Sequence, residues 1–148
     1  ITSVIAHEVG HYRFAHLPKN IVIGTIQQLI TFYLLDIIMK TLFPEFLTSN
    51  VANLTLFPIF GLIMGLLSGL LFGPLNNLLS RFFERQADQT SLELYPDKDA
   101  FQKAMAGLAN RNLSNAYPEW WVKLLYYSHP PIGERLAFAE NYTLSETN

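Results

Sequence analysis

After Glu45 the chain carries no Asp, Glu, Lys or Arg until Arg81. That gap constrains the fold more than any other feature. Within it, LTLFPIFGLIMGLLSGLLFGPL supplies the roughly 20 apolar residues a bilayer-crossing helix needs. A second run without charge separates Lys19 from Asp36; IVIGTIQQLITFYLL, extended by Ile37 to Met39, approaches the same length, although Gln27, Gln28 and Asp36 are polar. The pattern predicts transmembrane helices over residues 20–42 and 53–79, joined by a polar link around Lys40 to Asn53 that contains Pro44 and Glu45. Gly61, Gly65, Gly69 and Gly73 recur every fourth residue of the second helix, putting small residues on one face that another membrane helix can approach.

Composition agrees with a lipid environment. Only 15% of residues are charged, where a soluble domain has about a quarter, and mean hydropathy is +0.20. A net charge of −2, with scattered Lys and Arg, offers no field for a phosphate backbone, so nucleic acid is not an expected partner. There is no cysteine. Any metal must therefore be held by His, carboxylate and water. At 148 residues without an internal repeat, one domain is expected. The first residue is Ile1 with an apolar helix pattern already running, which reads as a fragment of a longer protein.

The flanks of the hairpin read as helices too. Residues 1–19 are expected to form one helix that Pro18 ends or kinks. Residues 80–148 are amphipathic: Asp97 is placed to cap a helix through Phe101, Met105 and Leu108, a second follows Pro118 around Trp120 to Tyr127, and a third starts at Pro131. Trp120, Trp121, Tyr126 and Tyr127 suit either a membrane-interface belt or a core. The fold class is therefore all-α: a membrane protein whose helical hairpin joins two halves of one helical domain spanning residues 1–148.

The sequence HEVGH at residues 7–11 gives that domain its chemistry. Residues four apart share a helix face, so His7 and His11 can aim ring nitrogens at one ion about 2.0 to 2.1 Å away. Glu8, rotated by about 100°, cannot join them in that manner but is placed to take a proton from a water on the ion. Chance placement of such a pentad in this composition has a probability on the order of half a percent. A catalytic zinc needs a third protein ligand, and Glu84, in NLLSRFFERQAD, is the candidate. Two antiparallel spans return the chain to the membrane face it left, so the segments before and after the hairpin become neighbours. Asp88 lies on the same helix face as Glu84. His16 lacks the spacing of an extended three-histidine motif and reads as a helix-end or packing histidine. His129, in SHPPIGER, is either a donor to a substrate carbonyl or a loop histidine without a role.

HEVGHYRFAH, two apolar spans, NLLSRFFERQAD and YYSHPPIGERL together resemble the integral-membrane zinc endopeptidases of the type I CAAX prenyl protease family, over residues 1 to about 140. The resemblance implies one zinc ion on His7, His11 and Glu84, Glu8 as general base, and Asp88 as proton donor. For Asp88, orienting a zinc-bound imidazole is the competing role. It further implies that His129 and Arg135 line the cleft and that Asn77 and Arg81 are structural supports. The expected activity is zinc-dependent endopeptidase cleavage at or within the membrane. The substrate would be a peptide or protein, with a prenylated CAAX C-terminus as one candidate. Competing readings are a heat-shock-type protease of membrane-protein quality control and a non-catalytic membrane scaffold. Placing Arg13, Lys19, Arg81 and Arg85 on one side predicts a multi-pass protein, in contact with lipid, with its catalytic face in the cytoplasm.

Overall fold

The computed structural model describes residues 1–44, 57–112 and 115–143. Most of the expected polar link, and the first residues of the predicted 53–79 span, lie outside them. The described residues form helices and no strand: α1 (Thr2–Arg13), α2 (His16–Leu42), α3 (Phe57–Leu67), α4 (Gly73–Leu94), α5 (Lys98–Asn112), α6 (Trp120–Tyr126) and α7 (Ile132–Asn141). A π-helical turn, Ser68–Phe72, carries α3 into α4 without a break. Two helical stretches, His16–Leu42 and Phe57–Leu94, are long and apolar enough to cross a membrane.

The chain divides into two compact units, Pro18–Leu75 and Ile1–Leu17 with Asn76–Asn148. In the first, Thr31 is fully buried and its hydroxyl lies 3.4 Å from Ser68 Oγ. The glycine stripe has no packing partner among the described residues: apart from the adjoining helix backbone, no described atom lies within 4 Å of where a Cβ would stand at Gly61, Gly65, Gly69 or Gly73.

The second unit joins the sequence before the hairpin to the sequence after it. Leu92, Phe101, Met105 and Ala139 form its buried centre, so α4, α5 and α7 share one core, with Ile132, Leu136 and Phe138 packed against it. Asp97 caps α5 as its position suggests, its Oδ1 accepting the Ala100 N–H at 2.8 Å. Helix α1 lies directly on α4. Ser91 Oγ donates to the Ser3 carbonyl at 2.8 Å, and Gly10 sits where a Cβ would come within 2.7 Å of the Ala87 Cα.

One local expectation fails. The first helix does not run to Pro18: it ends at Arg13, Ala15 adopts φ 53°, and α2 begins at His16. Pro18 then falls in the first turn of α2, where its missing N–H costs no helical hydrogen bond.

Candidate metal centre

On α1 the four-residue spacing puts His7 and His11 on one face, with their Nε2 atoms 3.2 Å apart. Glu84, on α4, reaches both. Its Oε2 lies 3.5 Å from His7 Nε2 and its Oε1 lies 3.5 Å from His11 Nε2. A tetrahedral ion with ligands at 2.0 to 2.1 Å holds its donor atoms about 3.3 to 3.4 Å apart. The three observed separations bracket that edge length, so the donor set fits such an ion in both chemistry and size. It is also the one group of three or more potential metal-binding side chains among the described residues.

The partners of these three side chains are equally specific. His7 Nδ1 lies 2.9 Å from Asp88 Oδ1, and Asp88 is buried under Arg135, whose Nε donates to its Oδ2 at 2.8 Å and whose Nη2 donates to Oδ1. A carboxylate holding the far nitrogen of a ligating imidazole fixes its tautomer and ring plane. That is the geometry Asp88 shows. Burial alone would lower the His7 pKa, but hydrogen bonds and charge from Asp88 and Glu84 outweigh it and raise it to about 9 in the metal-free chain. For Glu84, burial pushes up, yet His129 and His7 hold the carboxyl well below the usual carboxylate range.

His129 follows α6. Its Nδ1 lies 3.1 Å from Glu84 Oε2, and that contact raises its pKa. The loop that carries it is held from α4: Asn77 Nδ2 donates to the Leu125 carbonyl at 2.7 Å and to the Leu124 carbonyl at 3.3 Å, and Arg81 Nη1 donates to the Lys123 carbonyl at 2.8 Å and to that of Tyr127. The Leu124 and Leu125 carbonyls lie in the last turn of α6, where helical donors run out, and Tyr127 is the residue that ends it; the Lys123 carbonyl also accepts the Tyr127 N–H at 3.3 Å. Asn77 and Arg81 thus close the helix end and aim the following loop.

A cavity of about 580 Å³ opens over these groups, lined by His7, Glu8, His11, Glu84, His129 and Arg135 among others. Glu8 is exposed on it. Every sequence-predicted site residue is brought together except that Arg135 turns most of its guanidinium to Asp88 rather than to open space. His16 is the reverse case. Read as packing, it is buried with its Nδ1 2.9 Å from His11 Nδ1. No spacing rule signals this contact, because it depends on the break at Ala15. Trp120, Trp121 and Tyr126 are exposed rather than in the core.

A helical fold of the described residues, with a His, His, Glu donor set beside an exposed glutamate, has the make-up of a metallopeptidase centre. The chain belongs to peptidase family M48, whose model matches residues 1–143. It is 34% identical over 140 residues to the CAAX prenyl protease 1 homolog of Homo sapiens, covering 92% of this chain and 29% of that protein. It is 31% identical over 144 residues to the uncharacterized metalloprotease YhfN of Bacillus subtilis, covering 95% of this chain and 34% of that one. The crystal structure of S. mikatae Ste24p superposes with a TM-score of 0.73 at 25% identity, covering 96% of this chain and 36% of that one. The chain thus spans about a third of the length of these relatives.

Proposed function

We propose that this chain carries the catalytic centre of a zinc-dependent metalloendopeptidase that cleaves peptide bonds at or within the membrane. The observation that carries the reading is the spacing of His7 Nε2, His11 Nε2 and the Glu84 oxygens, 3.2 to 3.5 Å, at the wall of a cavity that also exposes Glu8. His7, His11 and Glu84 would hold one zinc ion, leaving a fourth position open. Bound there, zinc supplies a Lewis acid that polarises a peptide carbonyl and lowers the pKa of water.

The side chains do the rest. Glu8 takes the proton from the attacking water and passes it to the leaving amine. Asp88, gripped by Arg135, keeps the proton of His7 on Nδ1 so that Nε2 presents a lone pair. This favours the orienting role over the proton-donor role. His129 donates toward the oxyanion that forms on the scissile carbonyl.

Relatives named CAAX prenyl protease 1 homolog support a prenylated C-terminal peptide as substrate. Arg13, Lys19, Arg81 and Arg85, flanking the spans, support a multi-pass protein with this centre on the cytoplasmic side. The test uses the full-length protein with a prenylated CAAX peptide and its unprenylated counterpart. Wild type should bind one zinc per chain and cleave, with preference for the prenylated peptide. Glu8→Gln should keep the zinc and lose cleavage. A Glu8→Gln enzyme that still cleaves removes the proposed base, and equal cleavage of both peptides points to the broader quality-control substrate range instead.

A further inference from the structure

His16 is buried beside the metal centre, and the chemistry above leaves it unused. In an unbroken helix the fifth residue on is rotated about 140° from the first, so His16 would face away from His11. The chain is not unbroken. The left-handed Ala15, φ 53°, ends α1 and swings His16 back. Its ring stacks on Phe83, centroids 4.2 Å apart and planes 13° off parallel. Nδ1 meets His11 Nδ1 at 2.9 Å, and Nε2 meets Gln86 Oε1 at 3.0 Å.

Hydrogen-bond direction fixes the protons along this row. The atom of His11 that faces His7 and Glu84 is Nε2. If its lone pair points at a metal, the ring proton of His11 sits on Nδ1 and must be donated. The acceptor in reach is His16 Nδ1. That nitrogen must be bare, so the proton of His16 sits on Nε2, where Gln86 offers an amide oxygen. Each step permits only one arrangement of the next. His7 is served in the same way by a different group, its Nδ1 paired with the Arg135-bound Asp88.

We infer that His16, held by Gln86, is a positioning residue for His11: it accepts the Nδ1 proton and so fixes the tautomer and ring plane in which Nε2 faces the ion. The inference rests on the zinc reading of His7, His11 and Glu84. Outer groups of this kind are commonly worth 10- to 100-fold in metal affinity.

The test is zinc and cobalt affinity of the full-length protein, measured by chelator competition, with the visible spectrum of the cobalt form as a direct view of ligand geometry. His16→Phe keeps a ring on Phe83 but removes the acceptor; about 10- to 100-fold weaker metal binding and an altered cobalt spectrum are expected. His16→Asn offers an amide oxygen near the position of Nδ1 and should recover most of the affinity and the wild-type spectrum. Wild-type affinity in the phenylalanine variant overturns the inference, as does equal weakening in both variants, which would mark His16 as packing. If the phenylalanine variant does not fold, Gln86→Met reads the row from its far end: several-fold weaker binding supports the inference and wild-type affinity overturns it. A wild-type protein that binds neither metal fails at the earlier step and overturns the zinc reading with it.

Discussion

Gly10 offers the sharpest test of how the centre is built. It stands inside the HEVGH sequence, between the two proposed histidine ligands, on the face of α1 that lies against α4. A Cβ there would come within 2.7 Å of the Ala87 Cα, 3.1 Å of Thr90 Cβ and 3.3 Å of Ala87 Cβ. Ordinary contact begins at 3.4 Å, so Gly10→Ala is short by about 0.7 Å against backbone that cannot rotate aside. Helix α1 must move off α4, taking His7 and His11 with it while Glu84 stays. In stability the change partly cancels, because overpacking costs roughly 1–3 kcal/mol and alanine in place of a helical glycine returns up to about 1. The metal is the better reporter. Ligand distances hold to about 0.2 Å, so a displacement of this size should weaken zinc binding on the order of 10- to 100-fold, with an apparent Tm only a few degrees lower. Gly107→Ala is the control: it lies in α5 with nothing within 4 Å of its Cβ position and should leave zinc affinity alone. A folded Gly10→Ala protein with wild-type zinc affinity would refute the claim that the α1–α4 approach sets the ligand geometry.

Three further outcomes follow from the same contacts. In the metal-free chain His7 is protonated below its raised pKa of about 9, whereas a ligand must be neutral; zinc affinity should therefore climb about tenfold per pH unit through the neutral range and level off near pH 9, and a flat profile by chelator competition would contradict the His7–Asp88–Glu84 coupling. Stability of the metal-free protein runs the opposite way: the raised folded-state pKa stabilises it fully below about 6.5, and that contribution is lost as pH passes about 9. Asp88→Asn should lower zinc content by weakening the hold on His7 and stranding buried Arg135; loss of turnover at full zinc occupancy would instead favour a proton-donor role. Arg81→Met withdraws the guanidinium from the Lys123 and Tyr127 carbonyls; Lys123 keeps the Tyr127 N–H, so the loss falls on the Tyr127 carbonyl, at about 1–3 kcal/mol for an acceptor left unsatisfied; turnover should fall at least tenfold with zinc retained, and simultaneous loss of zinc would show that Arg81 supports more than the His129 loop.

How far the sequence reached, and where it stopped, follows from the range over which each rule acts. Helical periodicity fixes which residues share a face within a few turns, and that is enough for His7 with His11 and for Glu84 with Asp88. The charge gaps add one long-range fact, that residues before Lys19 and after Asn76 return to each other, and this joins the two pairs. Both rules assume unbroken helices. They fail together at Ala15, a non-glycine in the left-handed region at a cost of roughly 1–2 kcal/mol, where nothing in HYRFAHLP marks a turn. With the helix drawn straight to Pro18, His16 points elsewhere and Gln86 has no reason to be noticed. Strain of this size persists only where surrounding contacts hold it. Here they can be named: the Phe83 stack, Gln86 and His11 all act on the residue that the turn delivers. The position a sequence rule misplaces is thus the one where tertiary contacts, rather than local preference, decide the backbone, and it lies against a predicted metal ligand.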